Sequence, residues 1–132
     1  MTAVDPISPA RIPVVIVQRH RVLRDAVHRW LASEPTLDVV GAEPSVGMAS
    51  SLLAHEPAAV VVVDEPAAGQ SAGGIMLELR AASSTARAVM LVGAPDVATV
   101  SAAINAGVAA VQCRGTDIAG WPVALASGAN GE

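Results

Sequence analysis

From Ile12 onward, short Val-rich apolar runs alternate with stretches in which apolar residues recur three and four positions apart. That alternation is the signature of strands interleaved with helices. The first run, Val14 to Val17, reads as a strand. Arg21 to Ser33 then places Leu23, Ala26, Val27, Trp30 and Leu31 on one helical face and Arg21, Arg24, Asp25, His28 and Arg29 on the other. Glu34 and Pro35 end that helix. Leu37 to Val40 gives a second strand, and Val46 to His55 a second helix with Ala49, Leu52 and Leu53 inward. The third strand, Ala59 to Val63, is apolar at every position, so it belongs at the sheet centre, buried on both faces. It stops at Asp64.

A loop rich in Gly, Ala and Pro, Glu65 to Gly74, leads to a helix from Ile75 to about Ala82, and Ala88 to Val92 forms the fourth strand. A fourth helix spans Val97 to Asn105 with Val97, Val100 and Ile104 inward, and Gly107 suits its C-terminal cap. Val108 to Cys113 is the fifth strand. Asp117 is a good N-cap for a last helix, but Gly120 and Pro122 make that helix short or distorted. This order predicts an α/β flavodoxin-like doubly wound fold: a five-stranded parallel sheet in the order 2-1-3-4-5 with helices on both faces. Residues 1–11 read as a flexible leader, 12–127 as the single domain, and 128–132 as a flexible tail or the start of a linker.

Composition narrows the function. The chain has 132 residues, 52% of them hydrophobic, enough for one full core but not for a second domain of ordinary size. No apolar run approaches the roughly 18 residues of a membrane span, and no signal peptide opens the chain, which places it in the cytoplasm. The net charge of -4 argues against this domain gripping nucleic acid itself. With no Phe, no Tyr and two Trp, the chain has few platforms for stacking a base. The single cysteine, Cys113, forms no internal disulfide and reads as a small apolar side chain at a strand end. His20, His28 and His55 lie on different elements, which disfavours a metal site. Glu65 and Asp117 read as loop and capping residues, and the lone Gly93–Pro95 turn is too sparse for a phosphate cradle.

Several segments resemble the receiver domains of bacterial two-component response regulators. IPVVIVQRHRVLRDAVHRWLASEPTLDVVGAEPS looks like the opening of the LuxR-type, NarL/FixJ-like regulators, in which an apolar strand ends in two acidic residues. AVVVVDEP is similar to the third strand ending in the phosphoacceptor Asp, and AAINAGVAAVQCRG to the Ala-Gly turn and fifth strand ending in an essential Lys. The likeness runs from Ile12 to about Leu125. It implies Asp64 as the phosphoacceptor position, Gln18 and Arg19 at the acidic pair, Arg114 at the Lys, Val92 or Gly93 at the hydroxyl switch residue, and Val111 at the aromatic switch residue.

In such a receiver the Asp attacks a phosphoryl group while Mg2+ bridges the phosphoryl oxygens and the acidic pair, and Lys neutralises a further oxygen. Gln18 and Arg19 remove two negative charges and add a positive one, so Mg2+ binding is expected to be weak or absent. Arg114 keeps the Lys charge in a planar fork. Neither Val92 nor Gly93 offers a hydroxyl, and Val111 supplies no aromatic ring. Ala68 and Gly69 replace the usual Pro and Gly, so the loop after Asp64 is expected to be mobile. A hypothesis follows that Arg19 or Arg114 pairs with Asp64 in place of the cation, an attraction of roughly 4 kcal/mol at about 4 Å before desolvation.

The leading expectation is a degenerate receiver that is not an enzyme and carries no cofactor or metal. It would act by protein contact, as a homodimer built on the fourth or fifth helix and last strand, or on the first helix. The resemblance implies a sensor kinase as a further partner and DNA contact only through a C-terminal domain that this chain does not contain. Two alternatives remain: phosphorylation of Asp64 with altered metal dependence, and a small ligand bound at the switch point where the site has gained arginines.

Overall fold

The computed structural model describes residues 11–113, apart from 58, 68, 94 and 95. Nine elements alternate along them: β1 (Ile12–Val17), α1 (Arg21–Ala32), β2 (Leu37–Glu43), α2 (Val46–His55), β3 (Val60–Asp64), α3 (Ala72–Ala82), β4 (Arg87–Val92), α4 (Val97–Asn105) and β5 (Ala110–Cys113). The strands pair in parallel in the order β2-β1-β3-β4-β5. This is the doubly wound sheet that the sequence predicts. The expected last helix, the leader, the tail and Arg114 lie outside the described residues.

The period of two in the strands sorts the core into two layers. Val15, Val17, Val61, Val63, Ala88, Met90 and Val92 face α2, α3 and α4, where Ala49, Leu53, Ile75, Met76, Leu79 and Ala103 meet them. Val14, Ile16, Val60, Val62, Val89 and Leu91 face the other way, and Val27 and Leu31 of α1 pack there. β3 is buried on both sides along Val60–Val63, as an all-apolar central strand must be. In β2 the register skips Val40, since Val14 pairs with Val39 and Val15 with Gly41. That bulge switches the faces: Val39 and Ala42 join the α1 layer, whereas Val40 turns to the opposite one.

Several expectations need correction. α3 begins at Ala72, three residues before Ile75, because the Ser71 hydroxyl accepts from Gly74 N–H at 3.0 Å and caps a turn that contains two glycines. α4 is rotated by about one residue from the predicted face. Val97 is 82% and Ile104 60% exposed, Val100 is half-buried, and Ala103 is the residue seated on the sheet. A methyl side chain there brings the helix closer to the strands than Ile104 would. Ala26 of α1 is exposed. β2 runs on to Glu43 and β5 starts at Ala110, with Val108 buried just ahead of it. Gly107 is as expected: its φ of +96° is the left-handed turn that closes α4, and its N–H donates to Ile104 C=O.

Candidate functional site

The carboxyl ends of β1 and β3 and the loops that leave them form the edge at which doubly wound sheets carry their sites. A cavity of about 180 Å³ opens there, lined at one side by Val17, Arg19 and Pro44–Val46 and at the other by Val63, Asp64, Glu65, Gln70, Ile75 and Glu78. Asp64 ends β3 and is half-buried, which puts a carboxylate at the mouth of an apolar floor. Arg19 lines the same cavity. Arg19 makes no ion pair with Asp64, the other expected partner, Arg114, lies outside the described residues, and Arg21 pairs with Asp25, exposed and at 3.9 Å. Among the described residues the cavity is lined by three carboxylates, Asp64, Glu65 and Glu78, and one guanidinium, Arg19.

Gln18 follows β1 directly and is 2% exposed. Its backbone N–H donates to Glu43 C=O at 3.0 Å, and its C=O accepts from Arg24 Nη1 at 3.1 Å. Its side-chain Oε1 accepts from His20 N–H at 3.1 Å, while Nε2 is buried without a partner. A magnesium site of the receiver kind needs several oxygens at this point. The oxygen of Gln18 is already engaged, its neighbour is a guanidinium, and among the described residues no three His, Cys, Asp or Glu side chains converge as ligands would.

The loop after β3 is stitched rather than open. Glu65 N–H donates to Leu91 C=O at 2.8 Å, and Glu65 Oε1 accepts from Gly93 N–H at 2.8 Å. Ala67 and Gln70 close a turn on each other through Gln70 N–H to Ala67 C=O and Ala67 N–H to Gln70 Oε1, with Gly69 at φ +85°. Val92 ends β4 fully buried, Gly93 follows it exposed, and the Cys113 thiol donates to Gly93 C=O at 3.7 Å. Val111 is half-buried against the larger core layer. Thus Asp64, Arg19 and Glu65 are brought together, Gln18 lies beneath the head of α1, and Val111 stands apart. Sequence reasoning missed Glu65 and Glu78 as cavity residues, because a loop carboxylate and a helical one meet only through the tertiary fold.

The sequence matches no protein-family model and no curated protein. Solved structures do match. The signal receiver domain of the putative response regulator NarL from Mycobacterium tuberculosis aligns at 21% identity and a TM-score of 0.79, over 94% of this chain and 100% of that one. A LuxR-family two-component response regulator from Aurantimonas sp. SI85-9A1 gives 20% identity and a TM-score of 0.80, over 93% and 88%. A putative pilus assembly-related protein from Burkholderia pseudomallei gives 13% and 0.74, over 91% and 90%. The fold is therefore that of response-regulator receiver domains. Among the described residues no helix is long and apolar enough to cross a membrane.

Proposed function

We propose that this chain is a receiver-type signalling module that works by protein contact and without magnesium-dependent phosphorylation at Asp64, with no turnover of its own. One observation carries the reading: the two positions that close β1 beside Asp64 hold a buried amide whose oxygen is already bonded to His20 N–H and a guanidinium that lines the cavity. The guanidinium has no oxygen to offer a cation, and the neutral amide oxygen, already hydrogen-bonded, is a weaker ligand than a carboxylate. The likeness of the fold to two-component receivers supports the signalling class, and kinase contact and dimerisation follow from that likeness as proposals. The exposed Val97 and Ile104, seven residues apart and so on one side of α4, support a contact face on that helix.

The test is incubation with acetyl phosphate and Mg2+, read by intact mass spectrometry beside Asp64→Asn. No Asp64-dependent adduct from folded protein is expected. An adduct that disappears in Asp64→Asn would overturn the proposal in favour of a phosphoacceptor with altered metal dependence. That second reading has its own support, the half-buried Asp64 at the mouth of an accessible cavity.

A further inference from the structure

The cavity at the carboxyl ends of β1 and β3 is lined by two groups of opposite charge that do not meet. Arg19 lines it after β1 and Glu78 from α3, and both are exposed. Among the described residues, neither the Arg19 guanidinium nor the Glu78 carboxylate has a hydrogen bond or an ion pair. Asp64 lines the cavity on the Glu78 side and makes no ion pair with Arg19 either. Opposite charges that border one space without closing on each other leave room for a ligand that carries the complement of both.

The space between them has an apolar floor and the size of a small molecule. Val17, Val63 and Ile75 are buried and form that floor. The cavity volume is about 180 Å³. An apolar cavity of about 150 Å³ takes benzene, so this one holds roughly six to eight non-hydrogen atoms. Its wall is already tied in place. Glu65 Oε1 accepts from Gly93 N–H at 2.8 Å, and Gln70 Oε1 accepts from Ala67 N–H at 3.0 Å. A site whose walls are held before binding loses little order when a ligand enters.

We infer that this cavity takes a small aliphatic amino acid in its zwitterionic form, with the ammonium toward Asp64 and Glu78, the carboxylate on Arg19 and the methylene chain over the apolar floor. Charge decides the class. A phosphate-type anion meets three carboxylates, Asp64, Glu65 and Glu78, against the single guanidinium of Arg19. A plain amine leaves Arg19 unmatched, and a hydrocarbon leaves both signs unmatched over the same floor. A ligand with one charge at each end forms charge-assisted hydrogen bonds to both sides, and its carboxylate suits the planar guanidinium. The inference deepens the proposed function and rests on it, because a zwitterion in this space occupies the face of Asp64 that a phosphoryl group would need.

Its test is a proton–nitrogen NMR titration of the full chain with 5-aminopentanoate, whose charges stand at opposite ends of a methylene chain, beside pentylamine and pentanoate, which carry one charge each. Saturable shifts are expected at the amides of Val17, Arg19, Asp64, Glu65, Ile75 and Glu78. Each singly charged probe should bind about tenfold more weakly than the zwitterion, which is the loss of one charge-assisted contact. Arg19→Gln should weaken pentanoate and leave pentylamine unchanged, and Glu78→Gln should do the reverse. Both residues are exposed, so each variant keeps the fold. Absence of saturable shifts, equal binding by a singly charged probe, or unchanged binding of the zwitterion by both variants would overturn the inference. Such a failure leaves the phosphorylation-independent reading standing, whereas an Asp64-dependent adduct with acetyl phosphate removes that reading whatever the titration gives.

Discussion

Glu65 and Gly93, 28 residues apart, are joined by a hydrogen bond of 2.8 Å from the glycine N–H to the glutamate Oε1. With Glu65 N–H on Leu91 C=O, this ties the loop leaving β3 to the corner between β4 and α4 at both ends of one residue. A partly exposed charge-assisted bond of this kind contributes about 1 kcal/mol. Glu65→Ala should therefore speed hydrogen exchange at Gly93 about fivefold, and Glu65→Gln, which keeps an acceptor oxygen, should restore much of the protection. Equal exchange in wild type and Glu65→Ala would show that the tie does not hold the corner.

If the end of β1 is what disables cation binding, restoring its acidic pair should restore the response. The double substitution Gln18→Asp, Arg19→Asp adds two carboxylates beside Asp64 and removes one positive charge. Saturable Mg2+-dependent NMR shifts at residues 18, 19 and 64 are expected in the double variant and not in the wild-type protein. A wild-type response as strong as that of the variant would contradict the reading of the site.

Asp96 heads α4 and has a carboxyl held below its ordinary value of 3.8. The backbone N–H of Thr99 is the main cause and its hydroxyl the next; desolvation opposes them, and the Ala98 and Asp96 amides add still smaller help. A folded value below the unfolded one means that the cap stabilises the helix fully above about pH 4 to 5, and that this is lost as pH falls through the lowered folded value. In an acid titration, amide protection at Thr99 should decline below about pH 4, while Asp96→Asn should show no such step. The group is fully exposed, so the change is local to the head of α4 and not a global transition.

The outward-facing pair on α4 makes a separable prediction for the proposed contact. Val97 and Ile104 are exposed at 82% and 60%, so charged replacements there cost the fold little. If α4 forms the contact face, Ile104→Lys should raise the dissociation constant of self-association at least tenfold by analytical ultracentrifugation, and Val22→Lys on α1 should leave it unchanged. The reverse pattern would move the contact to α1.

Much of the sheet was legible because its chemistry is local. Val60–Val63 is apolar without a break, so its central place follows from sequence alone, and α2 and α4 have the bounds that their spacing predicts. The rotation of α4 was not legible, since nine residues rich in Ala and Val present two plausible apolar stripes, and only the packing of Ala103 selects between them. Gly73 and Gly74 read as loop, but the Ser71 cap and the burial of Ala72, Ile75 and Met76 outweigh their poor helix propensity. Asp64 could be placed from the end of its strand. The unbonded Nε2 of Gln18 depends on how one side chain turns and has no trace in the sequence.

A last prediction concerns Gly41, where the bulged edge strand meets α2. A methyl group added there would overlap Leu52 Cδ1, well inside contact distance. The obstacle is the tip of a half-buried side chain and not backbone, so Leu52 can turn aside at the expense of its rotamer and of contact with the core layer. Gly41→Ala is expected to destabilise the protein by about 1 kcal/mol in urea unfolding. Leu52→Ala alone removes core contact and should also destabilise, but in the double variant the alanine methyl occupies vacated space. The two effects should then fall short of additivity, with a favourable coupling of about 1 kcal/mol for residues in contact. Strict additivity would mean that the close approach to Leu52 is not the source of the cost at Gly41.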